Sequence, residues 1–272
     1  MEKSIAVLGG DGRSVQLAKL LADDGFAIST WGIDAVNAAE LSEAAEVEVI
    51  VLPIPLSREG KITGTEMKVE ELFSCLSPSQ RIFAGAVRAE DYVAASRHSL
   101  HITDYMDREE FAVRNVVPTV EGALELAMHA LPVTLHGAEC LVLGYGRIGK
   151  LLAHHLHALG AEVSVAARRQ SDFAWIESYG YAPLHSAQLA GRLGKFRVIF
   201  NTVPHQLLDA PLLSQLRRDC VLIELASVSG FDAAAAKSLG LQLVSGSGLP
   251  GRCAPETAAA AMKKIILEEC YE

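Results

Sequence analysis

Cys140-Leu-Val-Leu-Gly-Tyr-Gly-Arg-Ile-Gly149 is the stretch whose reading decides the fold of this 272-residue chain. It reads as a buried strand, a tight glycine turn and the first turn of a helix. Each glycine has its own task. Gly144 permits the turn, Gly146 lets the backbone approach a pyrophosphate, and Gly149 lets helix and strand pack closely. The free amides around Arg147 and Ile148, at the positive end of the helix dipole, would hold the phosphates. The flanks support this. Ala-rich helical sequence runs from Lys150 to Leu159, Gly160 is a stop, and Ala161 to Ala167 reads as the next strand. A dinucleotide site is therefore expected here, the alternative being a glycine turn used only in packing.

Outward from that stretch, strand-like apolar runs alternate with helical ones from end to end. That pattern belongs to α/β architecture with parallel sheets. Ser4–Leu8, Ala27–Trp31, Val47–Leu52, Arg81–Ala84 and Leu100–Thr103 read as strands of a first half, with helices over Ser14–Asp24, Glu66–Cys75 and Ala89–Arg97. Glu139–Leu143, Glu162–Ala166, Val198–Asn201, Val221–Glu224 and Gln242–Val244 repeat the theme. The expected fold is two doubly wound parallel-sheet (Rossmann-like) domains, 1–115 and 116–272. A connecting helix over Asn115–Leu135 joins them, with Pro118 near its start. A last helix, 255–271, opens on Pro255 and Glu256 and could cross back to the first domain.

An NAD site offers an acidic residue about 20 positions beyond the glycines to bind the adenosine ribose. Here the strand ends instead in Arg168-Arg169-Gln170-Ser171. A carboxylate would repel a 2′-phosphate, whereas a guanidinium binds it in a forked, charge-assisted pair. NADP is thus favoured over NAD, with Arg168 first and Arg169 or Ser171 in support; the alternative is that both arginines merely cap a strand. Ligands of doubly wound sheets bind beyond the carboxyl ends of the strands. This places Thr202-Val203-Pro204 along the nucleotide and Ala226 and Ser227 near the nicotinamide. Pro250-Gly251 is expected to form a tight turn facing the cleft. A second glycine loop, Gly9-Gly-Asp-Gly-Arg13, has Val15 where a third glycine would stand, and its second strand ends in Trp31-Gly32 without a ribose partner. A nucleotide site is disfavoured there, and the loop reads as a structural turn or as an anion-binding loop in which Arg13 supplies the charge.

Composition narrows the function classes. A formal charge of −9 argues against a general nucleic-acid binder. No apolar run approaches the ~18 residues of a membrane span, and the start of the chain lacks the apolar stretch of a signal peptide. Five scattered cysteines without a CxxC pair read as reduced thiols of a cytosolic protein. His154, His155 and His157 have no acidic or cysteine partner at ligand spacing, so no metal site is expected. Cys253 has no nucleophile motif around it.

The second half resembles the cofactor domain of the D-2-hydroxyacid dehydrogenases, with Asn115-Val-Val-Pro-Thr-Val-Glu-Gly122 similar to their linker motif. It departs from them in two places. Glu224-Leu-Ala-Ser-Val228 has serine where those enzymes carry a catalytic arginine, and Gly-Leu-Pro-Gly251 stands where their histidine falls. A fuller resemblance, over nearly the whole chain, is to the dipicolinate synthase A subunits of spore-forming bacteria. It rests on Val7-Leu-Gly-Gly-Asp-Gly-Arg13, Pro118-Thr-Val-Glu-Gly122, Val142-Leu-Gly-Tyr-Gly-Arg-Ile-Gly149 and Gly248-Leu-Pro-Gly-Arg-Cys-Ala-Pro-Glu-Thr-Ala258. That resemblance implies NADP-dependent oxidation of dihydrodipicolinate to dipicolinate during sporulation. It also implies a cytoplasmic, mother-cell location and partnership with a flavoprotein-like B subunit; a homo-oligomer is expected too. A dicarboxylate substrate would make Arg13 the first carboxylate partner, followed by Arg108 and Arg252, with Pro250 and Gly251 beside it; each arginine could instead pair with a surface acid. Glu121 and His136 are the candidate bases for a ring proton, with His205 behind them. Two other readings stay open: a divergent hydroxyacid or amino-acid dehydrogenase, and a non-catalytic cofactor-binding subunit.

Overall fold

Short runs of aliphatic and β-branched residues, bounded by glycine turns, form two all-parallel sheets whose central strands are buried on both faces. The computed structural model describes residues 4–271. It divides into two units, Met1–Asn115 with Pro250–Glu272, and Val116–Leu249.

The first unit contains β1 (Ser4–Leu8), β2 (Ala27–Trp31), β3 (Val49–Val51), the hairpin β4–β5 (Ser57–Arg58, Lys61–Ile62), β6 (Arg81–Ala84) and β7 (Ile102–Asp104). Its helices are α1 (Gly12–Asp23), α2 (Leu41–Ala44), α3 (Val69–Ser74) and α4 (Ala89–Arg97). Sheet order β2-β1-β3-β6-β7 is the five-stranded doubly wound arrangement. Helix α5 (Glu109–Ala130) begins in this unit and ends in the second.

The second unit holds β8 (Glu139–Leu143), β9 (Glu162–Ala167), β10 (Ala182–His185), β11 (Val198–Asn201), β12 (Val221–Glu224) and β13 (Gln242–Ser245). Its helices are α6 (Arg147–Ala158), α7 (Gln170–Ser178), α8 (Ala210–Leu213) and α9 (Ala233–Ser238). The order β10-β9-β8-β11-β12-β13 puts the switch point between β8 and β11. Two helical segments end the chain: α10 (Leu249–Cys253) and α11 (Pro255–Tyr271). No described helix is long and apolar enough to cross a membrane.

Several elements differ from the reading of the sequence. The connecting helix starts at Glu109, not Asn115, and ends at Ala130, so Pro118 lies inside it. A proline there has no N–H for the Arg114 carbonyl. The helix survives because Val116, Val120, Ala123, Leu124 and Ala127 bury one face in the second unit's core. Pro250-Gly251 belongs to a helical turn, α10, rather than a tight turn. Strand β10 has no counterpart in the sequence reading; it is a sheet edge, where Pro183 costs no ladder bond. The second unit stops at Leu249, and α11 lies in the first. Ala259, Met262, Ile265 and Ile266 of α11 share a buried cluster with Ile5 and Val7 of β1 and Leu17 and Leu21 of α1, and Lys263 Nζ meets Asp24 at 2.8 Å.

Candidate functional site: the glycine turn of the second unit

At the end of β8, Gly144 has φ +99°, a conformation glycine adopts without strain. A Cβ on it would also lie 2.5 Å from Thr202 Oγ1. A Cβ on Gly149 would stand 2.2 Å from the Gly144 carbonyl oxygen, so helix α6 packs directly on its own turn. Gly146 is different: nothing lies within 4 Å of its Cβ position. Two glycines are thus needed for packing, while the third leaves open space in front of the first turn of α6. Gly146 caps that helix without a side-chain acceptor for its leading amides. Arg147 is exposed there, and Ile148 packs partly against the core. Tyr145 turns inward with Lys150 Nζ 5.5 Å over its ring; burial, then the neighbouring Tyr181, push its phenol above the usual range.

Neighbouring strands bring the other expected cofactor residues to the same end of the sheet. Arg168 and Arg169 are exposed just past β9, and Arg169 is the N-cap of α7. No carboxylate occupies the strand tip. Past β11, Thr202 Oγ1 donates to the Leu143 carbonyl at 2.8 Å, fastening the Thr202-Val203-Pro204 segment to the glycine turn. Ala226 and Ser227 follow β12.

Two polar residues that the sequence places at strand ends, without assigning them a role, organise this edge. Asn201 is fully buried. Its Nδ2 donates to the Val203 carbonyl at 2.9 Å and to Glu224 Oε1 at 2.7 Å, while its Oδ1 accepts from Val203 N at 3.1 Å. Glu224 also accepts from Ala226 N at 2.8 Å and Gly230 N at 2.7 Å. The only sequence signal is an amide- and a carboxylate-bearing residue at the ends of strands that prove adjacent.

In the first unit, the loop at Gly9-Gly10 is covered by its own hairpin. Gly10 N donates to the Thr63 carbonyl at 2.7 Å, and a Cβ on Gly64 would fall 2.1 Å from Gly10 O. Asp11 caps α1 and accepts from Arg13 Nε at 2.9 Å and Nη2 at 2.8 Å; Nη2 also reaches the Ile54 carbonyl. Arg13 is therefore a buried, internally paired arginine at the carboxyl ends of β1 and β3. Gly251 lies against the same carboxylate, with a Cβ position 2.4 Å from Asp11 Oδ2. Among the described residues, no hydrogen bond is made by Arg13 Nη1.

The remaining candidates have other surroundings. Arg108 pairs with Glu110 at 2.7 Å and with Glu269, which makes it a surface ion-pair residue. Arg252 is exposed on α10, beside Pro250 and Gly251. His136 precedes β8 and so stands at the amino end of the sheet, opposite the glycine turn, with Nδ1 3.2 Å from the Leu159 carbonyl oxygen. The length of β8 separates the two ends, roughly 17 Å, which removes His136 as a base acting at the turn. Glu121 stands on the solvent-facing stripe of α5 with Val117 and Met128. His205 is exposed after β11, and Cys253 is exposed and in no disulfide. Among the described residues, no group of three or more His, Cys, Asp or Glu could hold a metal.

Comparison with known proteins places the chain by family and fold. Residues 4–106 match the N-terminal domain of the dipicolinate synthase A subunit, and residues 94–236 match the D-isomer specific 2-hydroxyacid dehydrogenase NAD binding domain. The dipicolinate synthase A subunit of Bacillus subtilis (strain 168) is 28% identical over 278 residues, covering 96% of this chain and 94% of that protein. The crystal structure of the A subunit from Bacillus halodurans superposes with a TM-score of 0.86 at 27% identity, covering 100% of this chain and 99% of the other. The crystal structure of the Bacillus subtilis protein gives 0.83 at 28%, with 99% and 96% covered.

Proposed function

We propose that this chain, which belongs to the family of the D-isomer specific 2-hydroxyacid dehydrogenase NAD binding domain, is a nicotinamide-dependent oxidoreductase that oxidises dihydrodipicolinate to dipicolinate as the A component of a two-subunit synthase. One observation carries the reading: a first domain matching that component's N-terminal domain is joined in one chain to a glycine turn with open space at Gly146. The setting would be the mother cell of a sporulating bacterium, and the partner a flavoprotein-like B subunit.

NADP is the proposed cofactor, because the tip of β9 offers Arg168 and Arg169 and no carboxylate. A bound oxidised nicotinamide would supply the hydride acceptor as a ring C–H bond breaks. A second ring hydrogen leaves as a proton, and the product is an aromatic pyridine. One hydride, carrying both electrons, and one proton account for the change. Aromatisation makes hydride loss downhill, so the chain's task is placement and charge rather than polarising a ketone. Ser227 and Gly251, in place of the arginine and histidine of the hydroxyacid dehydrogenases, suit that chemistry.

Arg13 is the proposed carboxylate partner. Asp11 braces Nε and Nη2, and Nη1 remains for the substrate. Glu121, exposed on α5, is the proposed proton acceptor. The test is a mixture of purified chain, NADP and freshly made dihydrodipicolinate, with and without the B subunit, followed by nicotinamide absorbance. Reduction is expected, and its absence under both conditions would sink the enzyme reading. Arg168→Ala should weaken NADP by about tenfold or more while changing NAD little. Equal losses in parallel fluorescence titrations would remove the assignment to NADP.

A further inference from the structure

The pyrophosphate site at the glycine turn lies at the end of β8, and the adenosine side faces β9 with Arg168. The other half of a dinucleotide must then extend over β11 and β12, on the opposite side of β8. The carboxylate of Glu224 lies at the end of β12, tied to both segments found there. It accepts from Asn201 Nδ2 at 2.7 Å, from Ala226 N at 2.8 Å and from Gly230 N at 2.7 Å. The two amides bracket the loop that carries Ser227, so one side chain closes that loop on itself. Asn201 carries the tie onward through Val203, and Thr202 carries it to Leu143 beside the glycine turn. Gly230 has no room for a side chain, since a Cβ would lie 2.4 Å from the Asn201 amide. Buried Asn201 thus has both polar atoms of its side chain committed to holding these two segments together.

We propose that Asn201 and Glu224 form a positioning pair for the nicotinamide half of the bound dinucleotide, and that the Glu224 carboxylate biases the site toward the oxidised ring. Three donors aimed at two carboxylate oxygens need the anion; a neutral amide would place an NH2 against one of the N–H donors. A dinucleotide extended over β11 and β12 would bring its nicotinamide to the end of β12, where this charge sits. An oxidised nicotinamide carries a positive charge that the reduced form lacks, so a fixed anion stabilises the two forms unequally. The inference rests on the nicotinamide reading above.

Wild type and Glu224→Gln should be titrated with NADP⁺, NADPH and 2′,5′-ADP, with NAD⁺ and NADH in parallel. Wild type should bind the oxidised form about fivefold more tightly than the reduced form. In Glu224→Gln that preference should vanish, and affinity for the full dinucleotide should fall about tenfold, while 2′,5′-ADP stays within about twofold of wild type. Glu224→Asp should restore the preference for the oxidised form. Uniform weakening of all ligands, the fragment included, would mean a structural role alone and overturn the proposal. If Glu224→Gln does not fold, wild type still decides: equal affinity for both redox forms overturns the bias. A wild type that binds neither pair defeats the nicotinamide reading itself and the pair with it.

Discussion

Gly144, Gly146 and Gly149 carry separable duties, and substitution by alanine tells the last two apart. Gly149→Ala puts a methyl 2.2 Å from a backbone oxygen that cannot retreat, and should cost about 2–3 kcal/mol in chemical denaturation. Gly146 has an ordinary φ of −84° and open space before it, so Gly146→Ala should change stability by less than about 0.5 kcal/mol. The same methyl would stand where a pyrophosphate approaches, and dinucleotide affinity should drop roughly tenfold or more. Equal loss of stability in both variants would mean that the turn serves packing alone. Arg13 shows the opposite case, in which a residue identified from its charge is claimed by its own loop. Asp11, two positions earlier, takes two of its donor groups, and only the folded loop reveals which face of the guanidinium remains.

Among the elements, the hairpin β4–β5 has the largest effect for its size. The loop that follows it occupies the ground above Gly9-Gly10, the place a phosphate would take over the equivalent turn of the second unit. Gly64→Ala combines a φ of +85° with a Cβ position 2.1 Å from Gly10 O and should destabilise the first unit by about 2–4 kcal/mol. Differential scanning calorimetry should show that unit melting earlier while dinucleotide binding persists; loss of binding would mean the loop at Gly9 holds cofactor after all. The long parallel strands and the glycine turn are legible in the sequence because a strand buried on both faces is a short apolar run with turn residues at its ends. Two-residue strands such as Ser57–Arg58 carry no periodicity to detect. The start of α5 is misread because Pro118 resembles a first-turn proline, and only the buried face from Val116 to Ala127 shows why the helix continues through it. The role of Asn201 and Glu224 escapes notice for another reason. Their partnership exists only after β11 and β12 become neighbours, 23 residues apart in the chain.

At the scale of the whole molecule, the first unit is discontinuous: α11 completes a core begun by β1 and α1. Met262, Ile265 and Ile266 are essentially inaccessible there. Burial of such side chains stabilises by about 1.5–3 kcal/mol each, a large part of the ~5–15 kcal/mol that holds a domain folded. A chain ending at residue 254 should therefore lose the first unit to limited proteolysis while residues 116–249 stay protected. Protection of both would show that α11 is dispensable. The same arrangement sets an order of events on the ribosome. Residues 116–249 contain every strand of the second sheet and can fold as soon as they emerge. The first-made strands must wait, with Ile5, Val7 and Leu17 uncovered, until the helix beginning at Pro255 is synthesised. The older half of the polypeptide is the younger fold, and for that interval it is the part most in need of a chaperone.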